Sequence, residues 1–249
     1  MKKILRLILW FFTGITGLIV LLLLYFTITD FRPAEKTILA QYMDAAPVEI
    51  NKEFTLLTWN IGYAGLDKDM DFFYDGGEKT RTTRQQTLEN LEKIKCFLDE
   101  YRHADFVLLQ EVDTNSKRSY GINELQALQP VTPPHGNFAL NYKVAFVPTP
   151  ITSPMGKVKS GIAVFSKYIP ALSVRYDFPG SYSWPVKLFM LDRCFIANRY
   201  PLTNGKELVV VNTHNTAFDT GELKQQEMDY LKLFILNEFT IHGNYVIVG

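Results

Sequence analysis

Three polar residues stand directly after short apolar runs: Asn60 closes FTLLTWN, Glu111 closes DFVLLQE and His214 closes ELVVVNTH. A carboxylate ligates hard divalent cations, a carboxamide orients an anion or a bound water, and an imidazole moves protons near neutral pH. Together they could neutralise an anionic ester and assist water against it. Singly each is ordinary. An Asn after a strand is a common turn residue, a Glu is usually solvated, and a His readily satisfies itself by hydrogen bonding. The weight lies in three such residues arriving at the same kind of place in the chain. A zinc site is not expected, because His103, His135, His214, His242 and the two cysteines show neither Cys-x-x-Cys nor His-Glu-x-x-His spacing.

The elements that must position these residues follow from the apolar pattern. FTLLTWN (54–60) and DFVLLQE (105–111) read as buried-type strands, and between them 83–101 carries Leu88, Leu91, Ile94, Cys96 and Leu98 at roughly helical spacing. Strand, helix and strand imply a right-handed parallel crossover, which puts both strand ends on one edge of a sheet. The same order returns with ELVVVNTH (207–214), a helix through 221–239 and NYVIVG (244–249), so His214 stands where Asn60 stood. Between the halves, NYKVAFVP, SGIAVFSK, ALSVRYDF and KLFMLDRCFIANRY predict antiparallel strands. Two sheets packed face to face with helices outside accommodate this order, an α/β fold.

Further residues are candidates for shaping a substrate site. The loop 61–82 is long for a strand-to-helix connection, and long loops at a functional edge often bind ligands. Tyr63, Asp75, Arg81 and Arg84 in and beside it are candidate substrate contacts, as is Asn215 beside His214. Ser160, before Gly161, is expected to help the backbone turn, and Tyr182 and Trp184 in FPGSYSWPVK to cap the sandwich, with contact to lipid as the alternative. Cys96 and Cys194 are expected as buried free thiols, since both fall in regular elements, although a bridge between them is permitted outside the cytoplasm.

The composition, 249 residues with 47% apolar and 14% aromatic side chains, supports a packed core and excludes a disordered chain or a disulfide mini-scaffold. The zero net charge is split: Lys2, Lys3 and Arg6 precede Leu7–Thr29, 23 residues without a charge, leaving 23 bases against 26 acids elsewhere. At about 1.5 Å per residue, that uncharged run crosses a hydrocarbon core of about 30 Å. It exceeds the apolar region of a cleaved signal, about 7–15 residues, and no small-residue cut site follows. An uncleaved anchor (1–29) is therefore expected, oriented by its preceding bases with the N-terminus in the cytoplasm and the body outside. Residues 30–52 read as a juxtamembrane stalk and 53–249 as one domain. Its slight excess of acid offers no broad field for nucleic acid.

In order, LLTWNIG, LLQEVD, SGIAVFSK, LVVVNTHN and a strand stopping at VG resemble the endonuclease/exonuclease/phosphatase superfamily of metal-dependent phosphoesterases, over about Phe54 to Gly249. The resemblance implies a four-layer α/β/β/α sandwich with a metal site at one rim. It assigns Glu111 as the main metal ligand, Asn60 as orienting the phosphate or a metal-bound water and as a second metal contact, and His214 as polarising or protonating at the phosphate. Such chemistry needs a cation that neutralises the phosphoryl oxygens while water attacks in line. Mg²⁺, or Mn²⁺ in its place, suits a single carboxylate, since it keeps waters and substrate oxygens as its other ligands.

In the superfamily the last matched strand continues into Gly-Asp-x-Asn, and a later strand carries Ser-Asp-His. This sequence stops at Gly249, so the resemblance implies a sandwich incomplete at its C-terminus and a chain with little activity by itself. The expected parent function is a membrane-anchored, Mg²⁺-dependent phosphoester hydrolase, a phosphodiesterase first, acting on a small phosphoester or a lipid head group, with lipid head groups, nucleotides and sugar phosphates all open as substrates. A nuclease of the same fold, marked by strongly salt-dependent binding, or a non-catalytic anchored binding module is the alternative, and the coding sequence beyond codon 249 separates an enzyme from the module.

Overall fold

Both strand–helix–strand units form, and they frame a computed structural model that describes residues 2–217 and 221–249. In the first unit β2 (Leu56–Asn60) and β3 (Phe106–Asp113) run parallel, in register from Leu56 opposite Phe106 to Asn60 opposite Gln110. The crossover helix α2 (Arg84–Glu100) starts where the Thr83 hydroxyl accepts a hydrogen bond from the Gln86 N–H, a cap typically worth about 1 kcal/mol. Its buried stripe is Thr87, Asn90, Leu91, Ile94 and Leu98. Cys96 is not on that stripe: at about 100° per residue it points away from Leu91, and its thiol is exposed. Cys194 is buried as expected, and both thiols are free.

After the short helix α3 (Glu124–Leu128) comes the second unit, in which β8 (Glu207–Thr213) and β9 (Tyr245–Val248) are again parallel, joined by α4 (Glu222–Leu236) and a π turn, Asn237–Ile241. The middle of the chain folds into antiparallel strands: β4 (His135–Val147) on β5 (Gly156–Ser166), and β6 (Leu172–Asp177) on β7 (Cys194–Pro201). Strand β7 begins only at Cys194. The preceding residues, expected as strand from Lys187, instead form a 3-10 turn, Val186–Phe189, and a short loop, since Pro185 lies immediately before them.

The result is a four-layer α/β/β/α sandwich with sheets in the order β2-β3-β5-β4 and, from the edge strand β1 (Lys36–Gln41), β1-β6-β7-β8-β9. Between the sheets Phe106, Leu108, Ile162 and Val164 meet Ile196, Tyr200, Leu208 and Val210. Each such side chain stabilises the fold by about 1.5–3 kcal/mol. Alternation sends Val107 and Leu109 the other way, onto Leu91, Ile94 and Leu98 of α2. A strand buried on both faces thus reads as an unbroken apolar run. On the far side Leu231 and Phe234 of α4 cover Phe195, Val209 and Val211.

A polar link between Gln110 and Asn212 crosses the inter-sheet layer. The Gln110 amide donates to Asn212 Oδ1 at 2.7 Å, while Asn212 Nδ2 donates to the carbonyls of Leu109 (3.0 Å) and Ala163 (2.7 Å).

Residues 30–52, expected as a stalk, contribute to the sandwich. Strand β1 (Lys36–Gln41) pairs antiparallel with β6, and Val48 enters the core beside Leu202. An apolar stretch such as TILA gains by supplying hydrogen bonds to the open edge of β6. Ahead of it, α1 (Lys2–Thr29) is a 28-residue helix with no buried residue, and its most apolar 18-residue window has a mean hydropathy of 2.6. Length and composition suit it to crossing a membrane. Its C-terminal end touches the domain: Phe26 meets Phe189 edge-on at 5.3 Å, and the Trp184 indole N–H donates to Thr27 Oγ1 at 3.2 Å.

Candidate active site

The strand ends bring Asn60, Glu111 and His214 together at one rim. In β3 the register with β5 shifts between Leu109 and Val112, and Glu111 takes φ +56°. A left-handed conformation costs a non-glycine residue about 1–2 kcal/mol, and a bulge re-aims the side chain it carries. The Gly62 N–H donates to Asn60 Oδ1 at 3.0 Å, turning the amide so that Nδ2 donates to Glu111 Oε1, also at 3.0 Å. From the other sheet His214 Nε2 lies 3.5 Å from the same oxygen. Among the described residues, both contacts of this carboxylate go to Oε1, leaving Oε2 for another partner.

The imidazole is held on its other side by Asn141, whose Nδ2 is 3.4 Å from His214 Nδ1. An amide nitrogen can only donate, so Nδ1 accepts and the ring proton resides on Nε2, facing Glu111. Burial, reinforced by the charges of Arg193 and Arg118, pushes the His214 pKa down to about 3. The ring is therefore neutral at neutral pH and serves as an N–H donor. Arg193 also donates to the His214 carbonyl at 3.3 Å.

Beside this cluster lies a cavity of about 90 Å³. Pockets for drug-sized ligands run to about 300–1,000 Å³, so this one suits a phosphate-sized group or a short length of hydrocarbon. Glu111, Asn141, Arg193 and His214 give it one polar wall, and Leu66, Phe72, Tyr74, Met155, Tyr182 and Leu191 line much of the remainder. Its floor is a buried ion pair. Arg118 donates to both oxygens of Asp113 at 2.9 and 3.1 Å and to Ser160 Oγ at 3.3 Å, and its guanidinium stacks on the Tyr63 ring at 3.8 Å. Glu124 accepts from the Asp113 N–H at 2.8 Å; burial, and then the Asp113 charge, raise its pKa well above the carboxylate range.

Other candidates from the sequence take different places. Tyr63 is fully buried beneath Arg118, its hydroxyl without a partner among the described residues, and supports the floor rather than lining the cavity. Arg81 donates to the Lys117 carbonyl at 3.2 Å and lies over Tyr120, whereas Arg84 is exposed at the start of α2. Asp75 is exposed in a short turn. Asn215 bonds to Glu227 at 3.2 Å and to Thr213 at 2.9 Å, organising the approach to α4. Tyr182 lines the cavity, but Trp184 does not cap the sandwich: it is 55% exposed and turned to α1. Three residues of the site carry no strand-end signal in the sequence. Asn141 lies inside a long strand, Arg193 immediately before one and Arg118 in a loop.

The four layers and the rim cluster define a sandwich whose functional edge gathers a carboxylate, an amide and an imidazole. The profile of the Endonuclease/Exonuclease/phosphatase family matches residues 57–249, and the chain belongs to that family. Its members are hydrolases of phosphoester bonds. Among solved structures, ANGEL2, a 2',3'-cyclic phosphatase in complex with adenosine-2',3'-vanadate, is 17% identical with a TM-score of 0.50; the match covers 83% of this chain and 56% of that one. An endonuclease/exonuclease/phosphatase from Beutenbergia cavernae DSM 12333 is 18% identical at TM-score 0.49, covering 73% of this chain and 43% of that one. The human Nocturnin catalytic domain with bound sulfate is 16% identical at 0.49, covering 82% and 66%. This chain thus spans about two fifths to two thirds of the length of these structures. No curated protein matches it significantly.

Proposed function

We propose that this chain carries the phosphate-handling rim of a membrane-anchored, Mg²⁺-dependent phosphoester hydrolase, with Mn²⁺ able to substitute. The observation that carries the reading is the convergence of Asn60 Nδ2 and His214 Nε2 on one oxygen of Glu111. Among the described residues no three His, Cys, Asp or Glu side chains gather around one point. That donor set fits a cation content with one carboxylate and several water or substrate oxygens, which is Mg²⁺ chemistry and not that of zinc. Glu111 would hold the ion, which would supply charge neutralisation at the phosphoryl oxygens and polarise the attacking water. Asn60, its amide oxygen engaged by Gly62, fixes the carboxylate and offers an N–H to phosphate. Neutral His214 offers its Nε2–H to a nonbridging oxygen. Arg81, Arg84, Tyr63 and Asn215 are assigned no direct contact with the ester.

The hydrophobic α1 supports anchoring, and the bases before it support a cytoplasmic N-terminus with the domain outside. A nuclease is disfavoured by the excess of acids over bases beyond residue 29.

Metal binding tests the reading without requiring turnover. Titrated with Mn²⁺ and followed by electron paramagnetic resonance, the full chain should bind one ion that Mg²⁺ displaces. Glu111→Gln should weaken it by about tenfold or more, as loss of metal-site partners typically does. Equal binding by both proteins would remove Glu111 from the metal site.

A further inference from the structure

We propose that the face formed by the end of β4 and the loop 181–189 docks on the outer leaflet of the bilayer, holding the mouth of the Glu111–His214 cavity at the level of the lipid head groups. The inference rests on the reading of α1 as a membrane span. It follows from where that helix meets the domain.

Phe26 lies three residues before the end of α1, so at 1.5 Å per residue it sits about 5 Å inside that end. Whatever packs beside it shares its depth. Phe189 does so, at 5.3 Å, and Trp184 bonds to Thr27. Between Leu22, Leu23 and Phe26 of the helix and Ala145, Phe146 and Pro148 of the domain runs a crevice of about 670 Å³, lined mainly by apolar side chains. Apolar side chains that water would otherwise wet continue outward: Trp184 is 55% exposed, Val186 48% and Phe146 40%. A tryptophan whose ring is open and whose N–H is satisfied is suited to the membrane interface. Exposed apolar side chains gathered beside a membrane span have the bilayer as their natural cover.

The same loop forms part of the site. Phe189 faces the helix, while its neighbours Met190 and Leu191 line the cavity with Glu111 and His214. The Tyr142 hydroxyl fixes this segment by donating to the Phe189 carbonyl at 2.8 Å. One turn of chain therefore separates the bilayer contact from the cavity wall.

The test uses the full chain reconstituted in phosphatidylcholine vesicles whose acyl chains are unlabelled or brominated, bromine being a short-range quencher of tryptophan. Of the three tryptophans, one variant keeps only Trp184 (Trp10→Phe, Trp59→Phe) and another only Trp10 (Trp59→Phe, Trp184→Phe). Both are first checked for native circular dichroism. Brominated lipid is expected to quench both variants. Quenching of Trp10 with Trp184 undiminished would overturn the docked face and leave the anchor intact. If neither is quenched, or the protein fails to float with the vesicles, the anchor reading falls and the docked face falls with it.

Discussion

Glu111 shows how the site is built at the cost of the chain around it. Its left-handed backbone, φ +56°, would suit glycine, yet the position must supply a carboxylate to meet Asn60 and His214. Strain of this kind persists only where neighbouring structure over-determines it. Here the flanking strands do so: β3 pairs with β2 up to Gln110 and resumes pairing with β5 at Val112. Two truncations should therefore differ. Glu111→Ala removes the carboxylate and keeps the strain, whereas Glu111→Gly removes both, and should be the more stable by about 1 kcal/mol in urea unfolding. Both should lose the Mn²⁺ signal. A glycine variant no more stable than the alanine one would show that the conformation stores no energy. The Arg118–Asp113 pair beneath acts differently: it is buried and bidentate, so it fixes geometry under the cavity while contributing little net stability.

At the scale of elements, the rim was legible because each of its three residues ends an apolar strand, and because two strand–helix–strand units force those ends to one edge. What escaped the sequence depended on pairing across distant segments. Nothing local in TILAQ shows that β6 has an open edge for it to fill, so 30–52 read as a stalk. Asn141 meets His214 only because β4 and β8 belong to facing sheets, and Cys96 was misplaced because a helix of alternating polar and apolar residues admits two stripes. The loop before β7 shows a further long-range effect. Burial, then the charges of Asp177 and of Asp30 at the end of α1, raise the Asp192 carboxyl to about 7, with Arg175 and Lys187 opposing. The folded value lies above the unfolded one of about 3.9, so the native state holds this proton more tightly. Its contribution is whole below pH 4 and is lost as pH rises towards 7. Asp192→Asn should therefore melt above the native protein at pH 8 and converge with it near pH 4. A melting difference independent of pH would mean that Asp192 is not the group responsible.

At the scale of the whole molecule, the anchor and the cavity constrain each other. A cavity of about 90 Å³ with one polar wall and several apolar ones fits a phosphoryl group and the start of a hydrocarbon segment better than a complete nucleotide. The domain's surplus of acids gives no long-range attraction for a polyanion. The docked face adds a geometric condition, for a mouth at head-group level meets phosphoesters lying in the same bilayer at high local concentration. Confinement of this kind commonly raises apparent association by about 10²–10⁴. With Mg²⁺ present, the protein should cleave a phosphodiester lipid in its own vesicle far faster than the same lipid in separate vesicles. A soluble diester such as bis(p-nitrophenyl) phosphate should be cleaved at one rate in both arrangements. Lipid hydrolysis indifferent to which vesicle carries the enzyme would show that the cavity opens to bulk water, and the nearness of Phe189 to the anchor would then serve only to hold the domain.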